Sequence, residues 1–190
     1  SFYPSKNLGA YGDGGAIFTN DPDLAEKIYL AANHGQNKRY HHKIIGCNSR
    51  LDSIQAEILN VKLKYLDSYN NNRNKMAQIY NEGFKKIDEL QTPSVIKKST
   101  HVYHQYTLKV LTPNKRDLLK NYLSENNIPS MIYYPIPLYK QDAFKQFVNK
   151  DFSLENTEYL AENVISLPIH TEIENSHQDY IIEMVTNFFK

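Results

Sequence analysis

A primary amine, Lys6, follows the rigid Pro4 and precedes four glycines within seven positions, Gly9, Gly12, Gly14 and Gly15. Proline fixes its own φ and biases Tyr3 towards an extended conformation, so the lysine is approached along a stiff, strand-like segment. The glycines behind it allow the backbone to turn sharply and to come close to a bulky group. A lysine held on such a turn can point into a site, as covalent imine chemistry on its amine requires. The same pattern also describes a solvated surface lysine beside a glycine-rich turn, and spacing alone leaves both readings open. Gly12-Asp-Gly-Gly15 is not a Walker phosphate loop, because the lysine precedes the glycines and no Gly-Lys-Ser/Thr follows.

Further along, Gly46-Cys-Asn-Ser-Arg50 places Asn48 and Arg50 ahead of an apolar helical pattern. By itself a Gly-x-Asn there is a turn. Arg50 has the fork to grip a phosphate or carboxylate bidentately, or it is an exposed arginine at a helix start. Lys38-Arg39-Tyr40-His41-His42-Lys43 gathers cationic and aromatic groups on one loop, which suits a nucleotide diphosphate and equally suits plain solvation. His41 and His42 are adjacent and no His-Glu-x-x-His occurs, so no metal site is expected. Cys47, the single cysteine, excludes an internal disulfide and reads as a small buried filler in a reducing compartment.

These groups need elements to hold them. Ala16-Ile-Phe-Thr19 is a short apolar run bounded by glycines and Asn20-Asp-Pro22, and predicts a buried strand. Asp21 or Pro22 opens a helix to about Asn33, ended by His34-Gly35. Ser49, with Asp52 three positions on, has the chemistry of a capping box. Leu51, Ile54, Ile58, Val61 and Tyr65 then repeat at helical spacing, predicting one long helix with a bend or domain handover at the poor helix formers Asn70-Asn-Asn72. Beyond Asp88 the pattern gives strands over 101–111 and 130–134 and helices over 114–126, 155–164 and 176–189. That order suggests a small α/β lobe behind the long helix.

Charge is balanced, 22 Lys+Arg against 21 Asp+Glu, so no basic field argues for nucleic acid and no acidic tail for a disordered partner. No apolar run approaches the ~20 residues of a membrane span, and no basic-then-apolar leader opens the chain. The expectation is a soluble cytoplasmic chain without nucleic-acid or membrane partners.

Ser1-Phe-Tyr-Pro-Ser-Lys6-Asn-Leu-Gly, with Gly12-Asp-Gly-Gly15, resembles the cofactor-lysine segment of the DegT/DnrJ/EryC1/StrS sugar aminotransferases. Tyr40 to Ala56, Met131-Ile-Tyr-Tyr-Pro-Ile-Pro137 and Ser166-Leu-Pro-Ile-His170 match the same family in the expected order. The resemblance implies a fold-type-I, pyridoxal-5′-phosphate-dependent α/β transferase. Residues 1–70 would be the end of the large cofactor domain with the start of the long connecting helix, and 71–190 the small C-terminal domain. The family carries more of its cofactor domain upstream of this lysine, so the chain reads as the C-terminal portion of such a protein and, alone, as an incomplete enzyme.

By the same resemblance Lys6 carries the cofactor covalently and moves the proton between substrate and cofactor carbons; a dehydratase branch has histidine there, so a lysine favours transamination. Ser1 matches a hydroxyl that hydrogen-bonds the cofactor phosphate, where the plain alternative is a capping serine. Asn48 matches an asparagine that reaches the phosphate of the neighbouring subunit's cofactor, which implies a homodimer with shared sites. Arg50, Tyr133 and His170 are the substrate-binding candidates, His170 being equally readable as closing the small lobe. Tyr133-Tyr-Pro135 departs from the commoner His-Tyr-Pro, which bears on sugar specificity. The implied reaction moves an amino group from an amino-acid donor, L-glutamate, to a keto-sugar on a nucleoside diphosphate. Asn48-Ser-Arg-Leu-Asp52 resembles the branch acting at C3, and the product would feed a surface polysaccharide or glycan. The rival from another class is a non-catalytic dimerisation module derived from the same family.

Overall fold

Asp21 and Pro22 open helix α1 (Pro22–Ala32) in the computed structural model, which describes residues 1–149 and 152–190. Asp21 has extended backbone, and its carboxylate accepts from the N–H groups of Asp23 (2.9 Å) and Leu24 (3.1 Å), while Pro22 occupies a position that needs no N–H. The helix ends in two left-handed residues, His34 (φ 57°) and Gly35 (φ 72°). A Cβ on Gly35 would lie 1.7 Å from the Ile44 carbonyl oxygen, so this position admits only glycine. The polar stretch that follows is a small hairpin, β1 (Gln36–Lys38) against β2 (His41–His42).

The chain divides into two compact units, Ser1–Ser68 and Tyr69–Lys190. In the first, several expectations fail. Ala16–Thr19 forms no strand: Ile17 and Phe18 are exposed, Phe18 at 96%. An extended run becomes a strand only where a neighbour takes its backbone groups, and none of the described strands pairs with it. The capping box at Ser49 is also absent. Residues 47–49 are strapped across the end of α1, Cys47 N–H on the Ala31 carbonyl (2.8 Å) and Ser49 N–H on that of Ala32 (2.9 Å), so helix α2 (Ser53–Leu63) starts only after Asp52. The strap leaves Cys47 at the surface, not buried. On α2 itself only Leu59 is buried, and Ile54 is 75% exposed.

The expected long helix breaks at Lys64–Tyr65, where the Tyr65 N–H takes the Lys62 carbonyl in a tight i→i+3 bond (2.9 Å). Helix α3 (Leu66–Phe84) then runs through Asn70–Asn72 without interruption. Those asparagines cost at most ~0.7 kcal/mol each in helix propensity. Burying Tyr80 and Phe84 on the same helix returns roughly 1.5–3 kcal/mol apiece.

The second unit is built on an antiparallel sheet in the order β3 (Leu90–Gln91), β4 (Tyr106–Val110), β5 (Val164–Leu167). Strand β4 buries Tyr106, Leu108 and Val110 at alternate positions. Helices α3, α4 (Lys115–Glu125), α5 (Glu155–Asn163) and α6 (Asn175–Phe188) complete it. Its core joins Tyr80 and Phe84 of α3 to Leu119 and Leu123 of α4, Ile181 and Val185 of α6 and the sheet's inner face. Tyr80 and Tyr106 lie with ring centroids 4.8 Å apart. Buried Arg116 donates to the Ala161 and Val164 carbonyls (2.9 and 3.2 Å), fixing the junction from α5 into β5. That junction was read from sequence as the end of a helix. Residues 130–134 are not a strand; Met131 alone pairs, with Ser166 of β5.

Candidate active site

Lys6 sits on a loop that closes on itself. The Lys6 N–H donates to the Tyr3 carbonyl (2.9 Å), Ala10 N–H to that of Phe2 (2.7 Å) and Phe2 N–H to that of Gly14 (2.8 Å). Gly9 and Ala10 are buried beneath the turn. A Cβ on Gly9 would stand 2.4 Å from the Pro4 carbonyl oxygen, so the absence of a side chain lets the loop fold flat on the proline. Two polar residues of α2 hold the loop from below. Gln55 accepts the Tyr11 N–H (2.7 Å), and Lys62 donates to the Gly9 carbonyl (2.7 Å) with its ammonium 5.0 Å from the Tyr11 ring centroid. Gln55 and Lys62 lie seven residues apart, two helical turns on one face. Sequence reading passed over both, and their spacing was the available signal.

Ser1 is exposed, and its hydroxyl accepts the Tyr3 N–H (3.3 Å), which leaves the hydroxyl proton to donate elsewhere. Asn48 lies on the strap, bridged to Asn33. Its Oδ1 accepts from Arg50 Nε (3.1 Å), so the pair is joined and the NH2 end of the amide is the donor it presents. The helix start thought to lie beside Asn48 is at Asp52, four residues on. Lys6 and Asn48 thus sit on separate loops, one held by α2 and the other by the end of α1.

The basic loop is ordered by its own contacts. His42 Nδ1–H donates to the His34 carbonyl (2.8 Å), and the Arg39 guanidinium stands 5.0 Å from the Tyr40 ring centroid.

In the second unit, Tyr133 and His170 leave the sheet at opposite ends. The antiparallel Met131–Ser166 bridge carries the chain after Met131 towards Val164 and the chain after Ser166 the other way. Tyr133 lines a cleft of about 480 Å³ with Ile136, Leu138, Gln141, Thr157, Leu160 and Val164 among its walls. The loop over this cleft is pinned by Glu158, which takes hydrogen bonds from Lys140 Nζ (2.7 Å), the Tyr139 hydroxyl and Ser153 (3.0 Å). Those bonds, with Lys140 first, hold the Glu158 carboxyl down at about 2. His170 is exposed at the exit from β5. Partial burial, and then the charge of Arg73, push its pKa below the ordinary histidine value.

The first unit therefore carries an amine on a rigid turn, a hydroxyl and, on a separate loop, an amide donor, while the second has an apolar cleft with tyrosines at one end of its sheet and the His170 imidazole at the other. Residues 1–186 match the DegT/DnrJ/EryC1/StrS aminotransferase family. The chain is 41% identical over 192 residues to a pleiotropic regulatory protein of Geobacillus stearothermophilus, covering 100% of this chain and 51% of that protein. It is 40% identical over 187 residues to a UDP-2-acetamido-2-deoxy-3-oxo-D-glucuronate aminotransferase of Pseudomonas aeruginosa, covering 98% and 50% respectively. Among solved structures it is similar to S. venezuelae DesV in complex with a ketimine intermediate, with a TM-score of 0.92 and 34% identity over 100% of this chain and 50% of that one. The chain spans about half the length of the curated relatives it matches. The fold-type-I α/β architecture expected from the resemblance is present over that span.

Proposed function

The chain belongs to the DegT/DnrJ/EryC1/StrS aminotransferase family, and on that premise we propose that it serves a sugar aminotransferase acting at C3 of a keto-sugar carried on a nucleoside diphosphate. The amino donor in this reading is L-glutamate, the setting is the cytoplasm, and the product is destined for a surface polysaccharide or glycan. Position C3 is supported by the 3-oxo sugar named for the Pseudomonas relative. No helix among the described residues is long and apolar enough to cross a membrane.

Aminotransferases of this family depend on pyridoxal 5′-phosphate. The donor set here fits that group: a lysine amine for its aldehyde, and the Ser1 hydroxyl and Asn48 amide for its phosphate. When bound, the cofactor supplies the electron sink for amino transfer. The chain's own part is to hold and orient. Lys6 brings its amine in on a turn locked by Gly9 and Lys62, and Nζ is the atom that takes up and returns the proton. Asn48, with its amide oriented by Arg50, serves the site of a second copy; the exposed apolar face of α2 supports such an assembly. Arg50 of the first unit, and Tyr133 and His170 of the second, are each candidates for contact with the sugar nucleotide in this reading, and the division of the chain near residue 70 separates cofactor from small domain.

The self-closed Lys6 turn carries the proposal. Its test is transfer of labelled nitrogen from 15N-glutamate to a nucleotide-linked 3-keto-sugar by the natural gene product. Lys6→Ala should abolish transfer while circular dichroism stays unchanged, since the residue lies on a turn and in no apolar core. Transfer surviving in Lys6→Ala refutes the role. A protein that binds no cofactor and transfers nothing would instead favour a non-catalytic module.

A further inference from the structure

Arg73 is a cation buried to 7% exposure, and among the described residues no carboxylate forms an ion pair with it. Burying a charge without a counter-charge is costly, so a guanidinium kept there needs strong compensation. Arg73 finds part of it in three backbone carbonyls, Nη1 donating to Tyr103 (2.9 Å), His104 (3.3 Å) and Ile169 (3.0 Å), while its buried Nε–H has no hydrogen-bond partner among the described residues. The first two lead into β4 and the third follows β5, so one side chain ties the two segments flanking the sheet pair. Seven residues on, two turns along the same face of α3, the Tyr80 hydroxyl donates to the Pro168 carbonyl (2.9 Å). Helix α3 thus grips two consecutive carbonyls, Pro168 and Ile169, immediately before His170. On the far side, His170 Nδ1 accepts the Glu172 N–H (3.2 Å), which leaves Nε2–H as the ring's donor.

We propose that Arg73 is a positioning residue for His170, fixing through the Ile169 carbonyl the place and tautomer in which the imidazole is presented at the exit from β5. A ring so held is a neutral hydrogen-bond donor, fitted to a hydroxyl or keto oxygen of the sugar and not to pairing with the diphosphate. The charged groups acting on it are Arg73 from α3 and Glu172 from the following turn, which pull in opposite senses. Tyr103 and His104, whose carbonyls share the guanidinium, are titratable residues on the β4 side. The identity of the acceptor rests on the sugar-aminotransferase reading; the clamp does not, and either can fail without the other.

The test is long-range 1H–15N correlation of the histidine rings in the natural gene product, with His170 assigned through His170→Gln. Wild type should show the Nε2–H tautomer and a midpoint below that of ordinary histidine. Arg73→Gln removes charge and clamp, so the midpoint should rise and the tautomers should mix. Arg73→Lys keeps the charge on a shorter, unforked stem whose ammonium falls short of the place Nη1 occupies, so the midpoint should stay low while the tautomers mix. Folded variants with wild-type ring signals would overturn the proposal. Where both variants fail to fold, the wild-type spectrum decides it: an Nδ1–H tautomer there is equally fatal, and Nε2–H with slowly exchanging Arg73 Nη protons upholds it.

Discussion

Replacing Lys62 by methionine isolates what holds the Lys6 turn in place. The substitution keeps a long, flexible, helix-favouring stem on α2 and deletes only the ammonium. Two contacts go: the 2.7 Å hydrogen bond to the Gly9 carbonyl and the ammonium 5.0 Å from the Tyr11 ring centroid. A charged hydrogen bond contributes about 1.5 kcal/mol at the lower end of its range, which suits a part-buried site. An exposed cation–π contact adds about 0.5 kcal/mol. The loop should lose about 2 kcal/mol against local opening, which at 1.4 kcal/mol per tenfold is roughly a 30-fold rise in the open population. Amide hydrogen exchange reads this directly at Ala10, whose N–H is bonded to the Phe2 carbonyl and whose side chain is fully buried. Ala10 should exchange roughly 30-fold faster in Lys62→Met, while Leu108 in the sheet of the second unit is unchanged. A change at Ala10 smaller than about threefold, with Lys62→Met otherwise folded, would show that the glycine turn is self-supporting and that α2 does not position Lys6.

Two further expectations concern the shared site and the loop over the cleft. Lys6→Ala and Asn48→Ala proteins, each inactive alone, should recover roughly a quarter of wild-type activity when subunits mix at random, because one site of each mixed dimer regains both groups; no recovery from verified mixed dimers would place the site within one chain. Glu158 has a folded-state pKa depressed to about 2, so its contribution to pinning the loop is complete above the ordinary carboxylate value and lost as pH falls through about 2. A 13C titration of its carboxyl should show that midpoint, with faster exchange at the Leu154 amide, which is bonded to the Tyr139 hydroxyl, setting in only below about pH 4.5; an ordinary midpoint would contradict the pinning.

Helices α1, α4 and α6 were legible because each carries local instructions: Asp21-Pro22 starts the first, His34-Gly35 stops it, and apolar residues repeat at helical spacing in all three. The Lys6 turn was legible for the same reason, since proline and glycine act on their own backbone. What failed depends on partners that a local pattern does not name. The apolar run at Ala16 is as strand-like as β5, yet β5 has β4 and Met131 to pair with and Ala16–Thr19 has no partner among the described strands. The run Val164–Leu167 adjoins a helical pattern, and only the Arg116 bonds to the Ala161 and Val164 carbonyls reveal where the helix gives way. Asn70–Asn72 are poor helix formers, but core burial further along α3 outweighs them. Gln55 and Lys62 share one face of α2 by their spacing, and only the folded loop shows that they face Gly9 and Tyr11. Arg73 was silent because nothing in a row of asparagines and lysines marks one cation for burial.

Chemical trapping shows whether Lys6 is the residue that takes the cofactor. The natural gene product is loaded with pyridoxal 5′-phosphate, reduced with borohydride so that a lysine-bound cofactor becomes a stable secondary amine, digested and mapped by mass spectrometry. The pyridoxyl-phosphate mass should appear on the peptide containing Lys6, at near one per chain, and be lost in Lys6→Ala. Label absent from Lys6, or spread over exposed lysines such as Lys38 and Lys43 with no excess at Lys6, would contradict it.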